Sequence, residues 1–191
     1  MSEPRLHVTF VCTNNICRSA MAEKMFAHEI RARGLDSHVR VSSAGTFDGW
    51  PGRRHIGATM MAASRNVLEP QGVSTGHRAS ALTADHLGAD LVVALARNHT
   101  ERLTQLGVPA ERIRLLRSFD PRSGAHAPDV DDPFGFLYEF TRIHQQIRAS
   151  LPGLHQWVDE QLAARGIATS RQSTDTWPCA SGHHRSPPAQ A

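Results

Sequence analysis

The chain has 191 residues, 40% of them hydrophobic and 20% charged, which is the composition of a soluble globular protein with one sizeable core. A formal charge of +3 is too small to argue for nucleic acid, and Lys24 is the only lysine beside many arginines. No apolar run approaches the roughly 20 residues of a membrane span; the N-terminus is too weakly apolar for a signal peptide, and three cysteines, two of them in one loop, fit a reducing cytoplasm.

In chain order, Leu6-His7-Val8-Thr9-Phe10-Val11 reads as a buried strand. Residues 20–33 read as a helix, because Ala22, Phe26 and Ile30 fall on one face at i, i+4, i+8, and Gly34 is placed to end it. Residues 39–43 form a short second strand, followed by a turn-rich stretch to residue 54. A helix pattern spans residues 58–68, closed by Pro70 and Gly72. The continuous apolar run at residues 90–95 suits a central parallel strand. A short helix near residues 99–106 precedes a fourth strand at 113–116. Phe140, Ile143 and Ile147 share one face of a C-terminal helix, which Leu154, Val158 and Leu162 continue beyond a Pro152-Gly153 kink. Alternating strands and helices predict an α/β fold, a three-layer α/β/α arrangement around a four-stranded parallel sheet. From Gly166 the composition turns to Ser, Thr, Pro, Gln, His and Gly without apolar period. The expected organisation is a domain over residues 1–165 and a disordered tail over 166–191, in which Trp177, Cys179 and His183-His184 are read as unconstrained.

The chemistry concentrates at Cys12-Thr13-Asn14-Asn15-Ile16-Cys17-Arg18-Ser19, between the first strand and the first helix. A loop entering a helix N-terminus turns backbone N–H groups toward one point, at the positive end of the helix dipole. With a guanidinium added, this is a cradle for a tetrahedral oxyanion, and a thiol within it is readily ionised. In parallel sheets such loops lie at the carboxyl ends of the strands, where ligands bind. An anion cradle with a nucleophile at its base suits covalent phosphoryl transfer.

Residues 6–19, Ser42-Ser43-Ala44-Gly45-Thr46 and Asp132-Pro133-Phe134 together resemble the low-molecular-weight protein tyrosine phosphatases. The resemblance spans about residues 6–165 and is strongest toward the actinobacterial branch, through residues 116–124 and 151–155. It implies a flavodoxin-like phosphatase fold and hydrolysis of phosphotyrosine in protein substrates through a cysteinyl-phosphate intermediate. It implies neither cofactor nor metal, and no nucleic-acid or membrane partner; it is silent on oligomeric state.

Under that resemblance Cys12 is the nucleophile, Arg18 clamps the phosphoryl oxygens and Ser19 assists departure of the thiolate. The phosphate-binding set is Cys12, Thr13, Asn14, Asn15, Ile16, Cys17, Arg18 and Ser19. Asp132 corresponds to the general acid, chosen over Asp120, Asp129 and Asp131. Asn15 corresponds to a loop asparagine with left-handed backbone, supported by Ser19, Ser43 and His77. Trp50, with Phe47 as its rival, and Phe134 correspond to the aromatic walls of a phosphotyrosine slot. Ile16 stands where related arginine phosphatases carry threonine, and Cys17 corresponds to a backup thiol for redox protection.

Three positions depart from the family pattern. Asn14 replaces the usual glycine and adds a side chain at the cradle; if φ is positive there, asparagine is the least costly substitute, and a slower enzyme results. Gly135 replaces a second aromatic, with Phe136 or Tyr138 available in its place, and Met61-Ala62-Ala63 replaces an Asp-x-Arg in the second helix. The alternative functions are a phosphate-binding pseudophosphatase, an arsenate reductase (which would need a downstream cysteine pair where only Cys179 exists) and a protein arginine phosphatase.

Overall fold

A computed structural model of the protein describes residues 5–47, 55–124, 127–133 and 137–169. Four parallel strands form one sheet: β1 (Leu6–Cys12), β2 (Val39–Gly45), β3 (Leu91–Ala94) and β4 (Ile113–Leu115), in the order β2-β1-β3-β4. The register pairs Phe10 with Ser43 on one side and with Val93 on the other, so β1 is central and hydrogen-bonded along both edges. That position explains why all seven β1 residues are buried.

Alternate residues of β1 serve different layers, because successive side chains point to opposite faces. Leu6, Val8, Phe10 and Cys12 join α1 (Arg18–Ala32) and α5 (Leu137–Ala164) in the larger core. Val11, with Val92 and Ala94 of β3, packs instead against Leu103 of α4 (Arg97–Gln105). Helices therefore cover both faces, as the alternating pattern predicts. The predicted face of α1 is buried, and Phe26 meets Phe10 edge-on with ring centroids 5.8 Å apart. Gly34 takes φ +67 just past α1, where a side chain would be strained.

The remaining elements are short. α2 runs over Ala62–Leu68, four residues later than the sequence pattern suggests, and α3 is a single turn at Ala84–Leu87. The Pro152-Gly153 pair lies inside α5, which is one continuous helix. Its glycine has a packing reason: a β-carbon there would stand 2.2 Å from the Phe119 carbonyl oxygen, so α5 and residues 116–119 approach only because it is absent. Among the described residues no helix is long and apolar enough to cross a membrane. The tail from residue 170, including Trp177, Cys179 and His183-His184, lies outside the described residues.

Candidate active site

The Cys12–Ser19 segment joins the carboxyl end of β1 to the first turn of α1. No side chain caps that helix at Cys17, which leaves its leading N–H groups available to an anion. Cys12 is 3% exposed, and its Sγ lies 2.9 Å from Ser19 Oγ. The thiol is therefore positioned against a hydroxyl that can donate to a thiolate.

Asn15 organises the loop. It is fully buried, sits at φ +51, and is one of two described non-glycine residues with positive φ. Its Nδ2 donates to Ser19 Oγ at 2.9 Å and to Ser43 Oγ at 2.8 Å, while its Oδ1 accepts from the Ser80 N–H at 2.9 Å. His77 Nε2 donates to the Asn15 carbonyl at 2.6 Å. The left-handed residue is thus held on both its amide side chain and its main chain, and the loop support expected from Asn15, Ser43 and His77 is one connected network.

Two further supports of the loop have no sequence signature. Glu23 of α1 accepts from Ser43 Oγ, pairs with Lys24 at 2.7 Å and lies 3.5 Å from His77 Nδ1. Burial raises the Glu23 pKa, but hydrogen bonds from His77, Lys24 and Ser43 outweigh it and hold the carboxyl below its usual value. On the other side, Thr13 Oγ1 meets His99 Nε2 of α4 at 3.0 Å. Both contacts join residues distant in sequence, so spacing does not reveal them.

Asn14 behaves differently from the expectation. It is not among the residues with positive φ, so asparagine there relieves no backbone strain. Its Oδ1 is buried without a hydrogen-bond partner, a polar group withdrawn from water next to the cradle. Cys17 is buried, and desolvation pushes its thiol up to about 12, against a weak Ser64 Oγ contact at 3.5 Å. Two cysteines five positions apart are both free thiols, and Cys17 is neutral at physiological pH.

The four acids competing for one role occupy distinct settings. Asp120 is 4% exposed and accepts from the Arg122 N–H and Nε. Asp129 accepts from the Arg97 N–H at the start of α4. Asp131 is clamped by Arg142 Nε at 2.7 Å and Gln146 Nε2 at 2.8 Å. Asp132 points its carboxylate at Arg18 Nη2, 3.1 Å away, with 62% of its side chain exposed. Arg18 itself is buried, and its Nη1 also reaches the Val130 carbonyl at 3.5 Å. Only the Asp132 carboxylate is both solvent-accessible and joined to the loop.

Among the aromatic candidates, Phe47 is 8% exposed at φ +52, with its ring over Gly45, where a β-carbon would meet it at 2.7 Å. It fills space beneath the loop. Trp50, Phe134, Gly135 and Phe136 lie outside the described residues, while Tyr138 is 65% exposed. Ile16 is half-buried, and its carbonyl accepts from the Met61 N–H, tying the loop to the start of α2.

The family model for low molecular weight phosphotyrosine protein phosphatase matches residues 7–164. The chain is 56% identical over 167 residues to low molecular weight protein-tyrosine phosphatase A of Mycobacterium tuberculosis, covering 87% of this chain and 99% of that protein. It is 33% identical to the protein-arginine-phosphatase of Bacillus subtilis, over 82% of this chain and 97% of that one. Among solved structures, a low molecular weight protein tyrosine phosphatase from T. tengcongensis superposes with TM-score 0.68 at 30% identity, covering 80% of this chain and 99% of the other. The chain belongs to the low molecular weight phosphotyrosine protein phosphatase family and is a cysteine-dependent phosphatase.

Proposed function

We propose that this phosphatase hydrolyses phosphotyrosine in proteins, with Cys12 as nucleophile and Asp132 as general acid. The observation that carries the reading is the convergence of Cys12, Ser19, Arg18 and Asp132 at one loop, through contacts of 2.9 Å (Cys12 to Ser19) and 3.1 Å (Arg18 to Asp132).

The first step forms a bond from Cys12 Sγ to phosphorus while the bond to the tyrosine oxygen breaks, and Asp132 gives its proton to the departing phenolate. Arg18 presents two parallel N–H donors to equatorial phosphoryl oxygens, which the loop N–H groups also bind. Asp132, now a carboxylate, takes a proton from water as the water attacks phosphorus. The Sγ–phosphorus bond breaks, and Ser19 donates to the returning thiolate. Inorganic phosphate leaves and the thiolate is regenerated. Each step uses side chains and water, with the pair Arg18–Asp132 exchanged for Arg18–phosphoryl contacts once substrate enters.

Ile16, where related arginine phosphatases carry threonine, supports phosphotyrosine over phosphoarginine, since it has no hydroxyl to offer a substrate. Trp50 and Phe134 complete the reading as the aromatic walls. We place the catalytic domain at residues 1–165 and the enzyme in a reducing cytoplasm, which two buried free thiols in one loop favour. The test is hydrolysis of p-nitrophenyl phosphate and of a phosphotyrosine peptide by the wild type and by Cys12→Ser. Turnover by the wild type and loss of about 10⁴-fold or more in the variant is expected; equal rates would overturn the assignment.

A further inference from the structure

Next to the segment that carries Asp132 lies a cavity of about 510 Å³, between residues 117–122 and the early turns of α5. Its charged lining is Arg117, Arg122, Arg142 and Arg148, with Asp120 as the one carboxylate. Asp120 is engaged by Arg122, Nε to Oδ1 at 3.2 Å and Nη2 to Oδ2 at 3.4 Å. Arg142 and Gln146, another lining residue, grip Asp131, the neighbour of Asp132. Arg117 has a different status. Among the described residues no carboxylate forms a close ion pair with it, although its charge helps hold the Asp120 carboxyl low; its Nη1 reaches the Asp129 carbonyl at 3.5 Å, and its Nε is buried without a partner.

Although Arg122 is paired with Asp120 and Arg142 with Asp131, the lining carries more guanidinium than carboxylate charge, which favours an anion. The planar guanidinium forks fit the paired oxygens of a carboxylate or a phosphoryl group. Arg117, one of the lining residues, also keeps a buried Nε without a partner. The location narrows the source. Two of its lining residues, Arg142 and Gln146, bind Asp131, the neighbour of Asp132, so the cavity lies beside the segment that carries the acid next to Cys12. A protein substrate extends about 3.3–3.6 Å per residue on either side of its phosphorylated side chain, which brings the near neighbours of that side chain past the arginines.

We propose that this cavity is an anion subsite that receives an acidic or phosphorylated side chain of the substrate, a few residues from the phosphotyrosine. The proposal rests on the phosphotyrosine reading of the Cys12 loop. Arg122 and Arg148 are the residues to remove, because Arg117 and Arg142 also hold the segment around Asp132.

The experiment compares phosphotyrosine peptides that differ only in carrying Glu or Gln at flanking positions, on the N-terminal or C-terminal side, with p-nitrophenyl phosphate as the flank-free reference. The wild type should show kcat/KM about fivefold higher for one acidic peptide, as expected of partly exposed charge pairs, and the preference should fade at high salt. In Arg122→Ala/Arg148→Ala the preference disappears while p-nitrophenyl phosphate turnover stays within about twofold, and Arg122→Glu/Arg148→Glu reverses it. Equal wild-type rates on acidic and neutral peptides, with p-nitrophenyl phosphate hydrolysed normally, would overturn the subsite and leave the phosphatase reading standing. Failure on every phosphotyrosine compound would overturn that reading instead. If an unphosphorylated acidic peptide added in trans alters p-nitrophenyl phosphate turnover as much as a flank does, the cavity binds a free effector and the substrate subsite is wrong.

Discussion

Asn15→Ala tests how the cradle is held. The substitution removes three hydrogen bonds, but its partners suffer unequally. Ser19 keeps Cys12 Sγ and Ser43 keeps Glu23, so each of those losses should cost about 1 kcal/mol net. The Ser80 N–H loses Asn15 Oδ1, an acceptor inside the fold, at about 1–3 kcal/mol. Alanine at φ +51 adds about 1 kcal/mol of backbone strain. The sum is about 4–6 kcal/mol, a large share of the roughly 5–15 kcal/mol that stabilises a typical domain. At about 2–4 °C per kcal/mol for a chain of this size, the thermal midpoint should drop by about 10 °C or more. Loss of preorganisation should lower kcat by about 10²-fold. Asn15→Gly separates the parts, because it relieves the strain without restoring the hydrogen bonds; it should recover only about 1 kcal/mol. Urea unfolding and p-nitrophenyl phosphate kinetics measure both effects. Asn15→Ala within about 1 kcal/mol of the wild type, or Asn15→Gly as stable as the wild type, would contradict this role for Asn15.

Asp132→Ala should lower kcat for phosphotyrosine by about 10²-fold or more, with less effect on p-nitrophenyl phosphate, whose leaving group needs less protonation; a larger effect from Asp131→Ala would move the acid by one residue. Mild peroxide should inactivate the enzyme and dithiothreitol should restore it, through capture of oxidised Cys12 as a Cys12–Cys17 disulfide; Cys17→Ala should make the same inactivation irreversible, and reversible loss in that variant would count against the pairing. Acid should destabilise the fold. Burial, as the main cause, lowers both His7 and His144 from 6.5 to about 4, so the unfolded chain binds more protons between those values. Their contribution is complete above pH 6.5 and is lost as pH falls toward about 4; a His7→Gln variant should show a shallower fall in thermal midpoint from pH 7 to 5, and an unchanged slope would contradict this.

The sheet and its two flanking layers were legible because their signals are local. The apolar runs of β1 and β3 are central strands with both faces covered, and the i, i+4, i+8 faces of α1 and α5 are buried as their spacing predicts. The candidate loop was legible for a similar reason, since a strand, an anion-binding sequence and a helix follow one another directly. The supports were not. Ser80 reaches Asn15 across 65 residues and His99 reaches Thr13 across 86, so no periodicity encodes either contact. Glu23 lies off the Ala22, Phe26 and Ile30 face that the spacing marks, yet it gathers Ser43, Lys24 and His77 around one carboxylate. The single-turn α3 is too short for a periodic signal and depends on Thr83 and His86 exchanging cap hydrogen bonds. Pro152-Gly153 reads as a kink within a helix that continues to Leu162, and α5 does run through the pair, with Gly153 packed on Phe119, a contact the local sequence does not encode. Asparagine at position 14 is tolerant of a left-handed backbone, whereas its feature in the folded loop is a buried amide oxygen without a partner.

Trapping the covalent intermediate asks whether phosphorus passes through Cys12. Asp132→Ala mixed with an activated aryl phosphate, quenched within its first turnover and analysed by peptide mass spectrometry, should carry one phosphoryl group on Cys12. Cys12→Ser should show no such species and no turnover. Phosphoryl transfer to another residue, or steady turnover with Cys12 never modified, would contradict the mechanism.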